Sequence, residues 1–64
     1  MIKEHAIVRL KRELPKKDIP LGTKGAVVWV YEGSPAGYEV EFVDDKGETL
    51  DVCTVAESDI EVID

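Results

Sequence analysis

The sequence predicts an all-β domain, a small SH3-like barrel of five strands. A long loop is expected after the first strand and a 3₁₀ turn before the last. Two observations carry this prediction. Turn signals recur about every 8–12 residues, which is typical of barrels and sandwiches, and the segments between them are rich in β-branched and aromatic residues. Residues 1–64 are too few for more than one domain, so a single domain is predicted.

The first strand is predicted at residues 6–10, where Ala6, Val8 and Leu10 share one face by two-residue alternation. Residues 11–24 form the long connector, because two prolines and a glycine interrupt any regular structure there. The large apolar residues of the connector are predicted to return to the core. They are Leu14, Ile19 and Leu21.

Residues 25–31, with the sequence GAVVWVY, are the second predicted strand, and residues 32–37 form a turn. The third strand, residues 38–43, alternates apolar and acidic side chains, so one of its faces is expected to pack on the core and the other to meet water. The inward set is Tyr38, Val40 and Phe42, and the outward set is Glu39 and Glu41.

The turn at residues 45–47 predicts a register for the third and fourth strands. Gly47 suits the left-handed position of a three-residue loop. Counting back from that loop places Phe42 opposite Leu50 and Val40 opposite Val52 on the core side. The outward pairs are then Glu41 with Asp51 and Glu39 with Cys53.

The predicted Glu41–Asp51 pair sets two like charges opposite each other, which costs a few tenths of a kcal/mol. A lysine could relieve the repulsion, or a basic partner could be expected at this face. Beyond the fourth strand, Thr54 and Glu57 have the spacing of a capping box, which predicts one 3₁₀ turn. Residues 60–63 form the short last strand.

Trp29 lies in a strand too apolar to show which side is inward. If Val30 pairs with Tyr38, the inward residues are Ala26, Val28 and Val30, and Trp29 faces outward beside Glu39. The other register turns Val27, Trp29 and Tyr31 inward and supplies more apolar volume. We predict the first register, because Ala26 opposite Phe42 is a small–large pair that fits a narrow barrel.

The composition of the chain bears on metal binding, cofactor binding and cellular location. The single cysteine cannot form an intramolecular disulfide, and the single histidine has no cluster with metal-ligand spacing, so no metal or cofactor is expected. No signal peptide and no apolar stretch of the roughly 20 residues needed to span a bilayer is found. We therefore expect a soluble, cytoplasmic protein with no membrane association.

Enzymatic activity is not expected. His5 stands at the start of the first strand, where a solvated side chain is the simpler interpretation. Cys53 would need a basic neighbour to become reactive, but its predicted neighbour is Glu39. Glu39 and Glu41 share one face, yet nothing in the sequence desolvates them for acid–base chemistry.

The charges of the chain are unevenly divided. Residues 1–24 carry a net charge of +4 and residues 25–64 a net charge of −10, for a total of −6. Both halves could simply be solvated. The acidic half otherwise predicts a protein-binding face for a basic partner, made of Trp29, Glu39, Glu41 and Asp51. The alternative is a nucleic-acid-binding connector, with phosphate contacts from Lys11, Arg12, Lys16, Lys17 and Lys24.

Residues 21–25, Val27 and Val28, residues 38–42, Gly47 and Thr54 form a pattern that extends over nearly the whole chain. This pattern resembles that of a family of small bacterial proteins of unknown function. One departure from the family is Thr23-Lys24, where many members have Gly-Asp.

The resemblance implies an SH3-like barrel. Some members of the family are encoded beside toxin-like genes, which implies an immunity or antitoxin role and a toxin-like protein partner. The connector and the strand after it are also similar to the RNA-binding SH3-like barrels of ribosomal proteins and transcription factors, which is the resemblance behind the nucleic-acid alternative. The sequence identifies neither the partner nor the oligomeric state.

Overall fold

The computed structural model describes residues 1–64 and contains five strands in one antiparallel sheet. The spatial order of the strands is β4-β3-β2-β1-β5, and one 3₁₀ turn at Glu57–Asp59 joins β4 to β5. The strands are β1 at Ile7–Leu10, β2 at Lys24–Tyr31, β3 at Gly37–Val43, β4 at Thr49–Ala56 and β5 at Ile60–Val62.

The all-β class, the five strands, the long connector and the single 3₁₀ turn are confirmed. The sheet is not closed, because β4 pairs only with β3 and β5 pairs only with β1. The hydrogen-bonded strands therefore form an open sheet and not a closed barrel, and β4 and β5 are its two edge strands. None of the helical structure is long and apolar enough to cross a bilayer.

Eleven buried residues form one core on the inner side of the sheet. Tyr38 is its largest member, and its hydroxyl is satisfied twice: it accepts from the amide of Ile2 at 3.0 Å and donates to Glu57 Oε1 at 3.2 Å. A buried hydroxyl needs such partners to offset its desolvation. The other ten core residues are Ile2, Val8, Leu10, Ile19, Val27, Val40, Phe42, Cys53, Val55 and Ile60.

Only two of the three large apolar residues of the connector pack against the core. Ile19 is buried and Leu14 is half-buried against the core, as predicted. The prediction for Leu21 is wrong, since its side chain is 57 % exposed. The amide of Gly22 donates to the carbonyl of Leu10, and this backbone bond rather than a buried Leu21 ties the end of the connector to β1.

A β-bulge at Val28 divides β2 into two segments, and the alternation of inward and outward side chains shifts by one residue between them. Val30 pairs with Tyr38 and Trp29 with Glu39, as predicted, but the next pair is Val27 with Val40, so Val28 is an extra residue. The predicted inward positions of Ala26 and Val28 are therefore wrong. Val27 is fully buried in their place, while Val28 is exposed.

A second bulge, at Leu50, shifts the register of β3 and β4 by one residue. Gly47 has φ +81° and the amide of Asp44 donates to the carbonyl of Glu48, so the predicted turn is present. Val43 pairs with Thr49, but Phe42 then pairs with Asp51 instead of the predicted Leu50. The predicted pairs on both faces of β4 are consequently wrong beyond the bulge.

The predicted capping box at Thr54 is also wrong. Thr54 is a residue of β4 and its hydroxyl donates to Glu39. The 3₁₀ turn begins after Ala56, whose amide donates to Asp59 Oδ2 at 2.9 Å.

Candidate functional site

The solvent side of β2, β3 and β4 carries two of the predicted binding residues directly beside each other. Trp29, Glu39 and Thr54 are paired in register across the three strands, and Glu41 and Val52 are paired in the next outward row. Paired residues in a sheet point to the same side, so these side chains share one surface. This surface, called the outer face below, consists of Trp29, Tyr31, Glu39, Glu41, Val52 and Thr54.

Glu39 is held in place by two hydroxyl groups. The Tyr31 hydroxyl donates to Oε2 of Glu39 at 2.6 Å, and the Thr54 hydroxyl donates to Oε1 at 2.6 Å. These bonds, that from Thr54 first, lower the pKa of Glu39 below its ordinary value. The same contact raises the pKa of the Tyr31 hydroxyl. Glu39 is therefore an oriented carboxylate that keeps its negative charge at neutral pH.

Large apolar side chains surround this carboxylate and remain accessible to water. Trp29 is 57 % exposed, Tyr31 46 % and Val52 45 %. The outward orientation predicted for Trp29 is confirmed. Tryptophan and tyrosine are enriched at the centre of protein interfaces.

Glu41 is the second acidic residue of the outer face. Its Oε2 accepts a short hydrogen bond from the hydroxyl of Thr49. Its cross-strand neighbour is Val52, and the predicted pair with Asp51 is absent because of the bulge at Leu50. The repulsion predicted between two acidic residues therefore does not arise.

Asp51 does not belong to the outer face. It pairs with Phe42, whose side chain points into the core, so Asp51 lies at the rim of the inner side. There Asp51 Oδ2 is 3.2 Å from Lys17 Nζ. The hydrogen bond from Lys17 and a second one from the amide of Val52 lower the pKa of Asp51, and the same ion pair raises the pKa of Lys17.

The five predicted nucleic-acid-binding residues are all exposed, but acidic residues accompany some of them. Lys17 is paired with Asp51, and Lys24 lines a groove of about 510 Å³ together with Asp44 and Asp45. The remaining three bases show no ion pair and lie in the connector. They are Lys11, Arg12 and Lys16.

Cys53 points into the core, against the predicted outward position. Its side chain is 2 % exposed because the bulge at Leu50 reverses the faces of β4. Burial raises the pKa of the thiol, with smaller contributions from the charges of Asp51 and Glu39. His5 is exposed, as predicted, and no group of three or more His, Cys, Asp or Glu side chains lies close enough together to hold a metal ion.

Sequence reasoning missed three members of the outer face: Tyr31, Val52 and Thr54. Tyr31 could have been found, since it lies two residues from Trp29 on the same strand and so shares its side. Val52 and Thr54 could not, because the undetected bulge exchanges the two faces of β4.

Residues 4–62 match the model of a protein family described as a domain of unknown function, DUF4926. The chain belongs to this family. The predicted membership of an uncharacterised family is thus confirmed, and the DUF4926 region includes all five strands. No curated protein and no solved structure matches the chain.

Proposed function

We propose that the protein is a non-enzymatic interaction module that binds a basic protein through the outer face. The observation that carries the proposal is Glu39, fixed by two hydroxyl groups and directly beside the exposed ring of Trp29. The Glu39 carboxylate is held in position before a partner arrives, so little of its conformational entropy would be lost on binding.

The charge of the chain supports a basic partner. The net charge is −6, and Glu39 and Glu41 stand among apolar side chains that a partner could cover. A cationic side chain could interact with the face of the Trp29 ring and with the Glu39 carboxylate at once. Association with such a partner is expected to be fast and to slow as salt is added.

An immunity or antitoxin role is the specific form of this proposal. A nuclease-like toxin would present a basic surface to its own substrate, and an acidic face could occupy that surface in place of phosphate. The support is the resemblance to bacterial proteins encoded beside toxin-like genes, together with the acidic charge of the chain. This role would place the protein in the bacterial cytoplasm.

Affinity capture from an extract of the source cells tests the outer face. The immobilised baits are the wild-type protein, Trp29→Ala, Glu39→Gln and Leu21→Ala. Leu21 is a matched control because its exposed fraction, 57 %, equals that of Trp29 while it lies in the connector, outside the outer face. We expect a basic protein to be retained by wild type and Leu21→Ala and lost by Trp29→Ala.

The captured protein is then purified and titrated against each variant by calorimetry. A hot-spot residue contributes about 2 kcal/mol or more, so Trp29→Ala should weaken binding by about 30-fold. Equal affinity for wild type, Trp29→Ala and Glu39→Gln would refute the proposal.

Nucleic-acid binding by the connector is the alternative. Single-stranded RNA and duplex DNA are titrated into the protein at low salt, where phosphate contacts are strongest. Micromolar binding that is abolished by Lys16→Glu/Lys17→Glu would favour the alternative over the outer face. The ion pair of Lys17 with Asp51 speaks for the protein-binding proposal, since one of the two lysines is already neutralised within the chain.

We also propose that the five-stranded sheet is curled into an SH3-like barrel. The strand order supports this, because β1 lies between β2 and β5 and the long connector separates β1 from β2. The bulge at Val28 supports it too, since bulges increase the bend and twist of a strand that passes from one half of a curled sheet to the other.

A further inference from the structure

β4 is hydrogen-bonded on one side only. It pairs with β3, and no backbone hydrogen bond joins Thr49–Ala56 to any other part of the chain. The opposite side is therefore a free edge along a strand of eight residues. A bare edge of this length is a template on which another strand can add.

Two backbone amides on this edge already donate hydrogen bonds to carboxylates of the same chain. The amide of Val52 donates to Asp51 Oδ1 at 2.8 Å, and the amide of Ala56 donates to Asp59 Oδ2 at 2.9 Å. Alternate residues of an antiparallel strand direct their backbone groups to the same side. The amide of Thr54 therefore also points outward, and it has no acceptor within the chain.

The edge is otherwise suited to a second copy of the same chain. An antiparallel pair with its symmetry axis at Thr54 would place Thr54 opposite Thr54, and Val52 opposite Ala56. Residues 52–56 carry no charged side chain, so no like charges are directly opposed within this five-residue pair, and the first acidic pair, Asp51 with Glu57, lies just outside it. The carboxylates that already accept from the amides of Val52 and Ala56 oppose this pairing.

We propose that the edge of β4 is a latent pairing surface for a second copy of this chain, and that the side chains of Asp51 and Asp59 keep it closed. Pairing requires outward amides that can donate to the partner strand. With two of the three already satisfied, the gain from adding a strand is too small and the protein stays monomeric. This inference is independent of what the outer face binds.

Sedimentation equilibrium over a concentration series tests the proposal with two charge-matched double variants. Asp51→Ala/Asp59→Ala removes both acceptors, whereas Asp51→Asn/Asp59→Asn keeps an acceptor oxygen at each position. Both variants change the net charge from −6 to −4, so general repulsion between copies falls equally. We expect a monomer at all concentrations for wild type and the Asn variant. For the Ala variant, the apparent mass should rise with concentration from that of a monomer to that of a dimer.

A third variant locates the contact. Thr54→Pro added to the Ala variant removes the central outward amide, and proline is tolerated on edge strands. It should restore the monomer. A monomeric, folded Ala variant at every concentration would overturn the proposal, as would a wild-type dimer or an Asn variant that dimerises as strongly as the Ala variant.

Amide hydrogen exchange of the wild-type protein provides a measurement that needs no substitution. The amides of Val52 and Ala56 should exchange more slowly than that of Thr54, because only the first two are hydrogen-bonded on the free edge. Equal exchange rates at the three positions would contradict the capping on which the proposal depends.

Discussion

Gly25 stands where no larger residue fits. It lies in β2 opposite Phe42, and its backbone passes close to β3. A Cβ atom added at Gly25 would lie 2.7 Å from the carbonyl oxygen of Glu41, 2.8 Å from Cγ1 of Val40 and 3.1 Å from Cδ1 of Phe42. The first of these neighbours is backbone and the other two belong to the core, so none can simply rotate away.

The cost of Gly25→Ala follows from these distances. Restoring ordinary contact, at 3.4 Å or more, requires Glu41 of β3 to move by several tenths of an ångström. Inserting a methyl group into a packed core costs about 1–3 kcal/mol. Replacing glycine restricts the unfolded chain, which returns about 0.4–1 kcal/mol. The difference is a net loss of about 0–2.6 kcal/mol; we expect the middle of this range, about 1–2 kcal/mol, or about 4–16 °C in Tm for a domain of this size.

Urea unfolding followed by far-ultraviolet circular dichroism measures this loss. Gly37→Ala is the matched control, since Gly37 is also a strand glycine but its nearest neighbours would lie 3.8 Å from the new Cβ. The control should be as stable as wild type or more stable by up to about 1 kcal/mol. A Gly25→Ala protein as stable as Gly37→Ala would refute the packing argument.

Two further predictions concern ionisable groups. The pKa of Glu39 is lowered in the folded protein, so its contribution to stability is complete above the ordinary pKa of 4.5 and is lost as the pH falls through the lower, folded value. Thr54→Val removes one donor and should raise the pKa of Glu39 in a carboxyl carbon-13 NMR titration; an unchanged pKa would contradict the role of that hydrogen bond. Cys53 is buried, so a thiol reagent should label the native protein roughly 200- to 5,000-fold more slowly than the urea-unfolded chain, because opening a domain of this size costs about 3–5 kcal/mol. Rapid labelling under native conditions would place the thiol outside the core.

Local patterns predicted those features of the fold that depend on neighbours in the chain. β3 alternates apolar and acidic residues, and the predicted inward residues Tyr38, Val40 and Phe42 are all buried. Gly47 takes the left-handed conformation that its turn requires. Trp29 faces outward because the segment beyond the β2 bulge keeps the simple register with Tyr38 and Glu39.

The candidate site could be predicted only on the strands whose alternation is unbroken in that region. Trp29 and Glu39 were identified correctly as neighbours, and Glu41 as a second outward acid. A strict two-residue period through Leu50 puts Asp51 on the outer face, and this prediction is wrong because Asp51 pairs with Phe42. A bulge adds one residue to one strand, so every side chain beyond it exchanges faces.

The sequence by itself determined the class of the fold, the existence of five strands and their places along the chain, and the acidic charge of the chain. Only the tertiary structure decided the phase of β2 and β4, and with it which of Val27 and Val28, or of Val52 and Cys53, enters the core. These pairs are adjacent apolar residues, so hydrophobicity favours neither member. The choice is made by the bulges at Val28 and Leu50, which bring Val27 and Cys53 into one core with Tyr38, Val40 and Phe42. That core joins strands from separate parts of the chain, so it is a property of the packed molecule and not of any local segment.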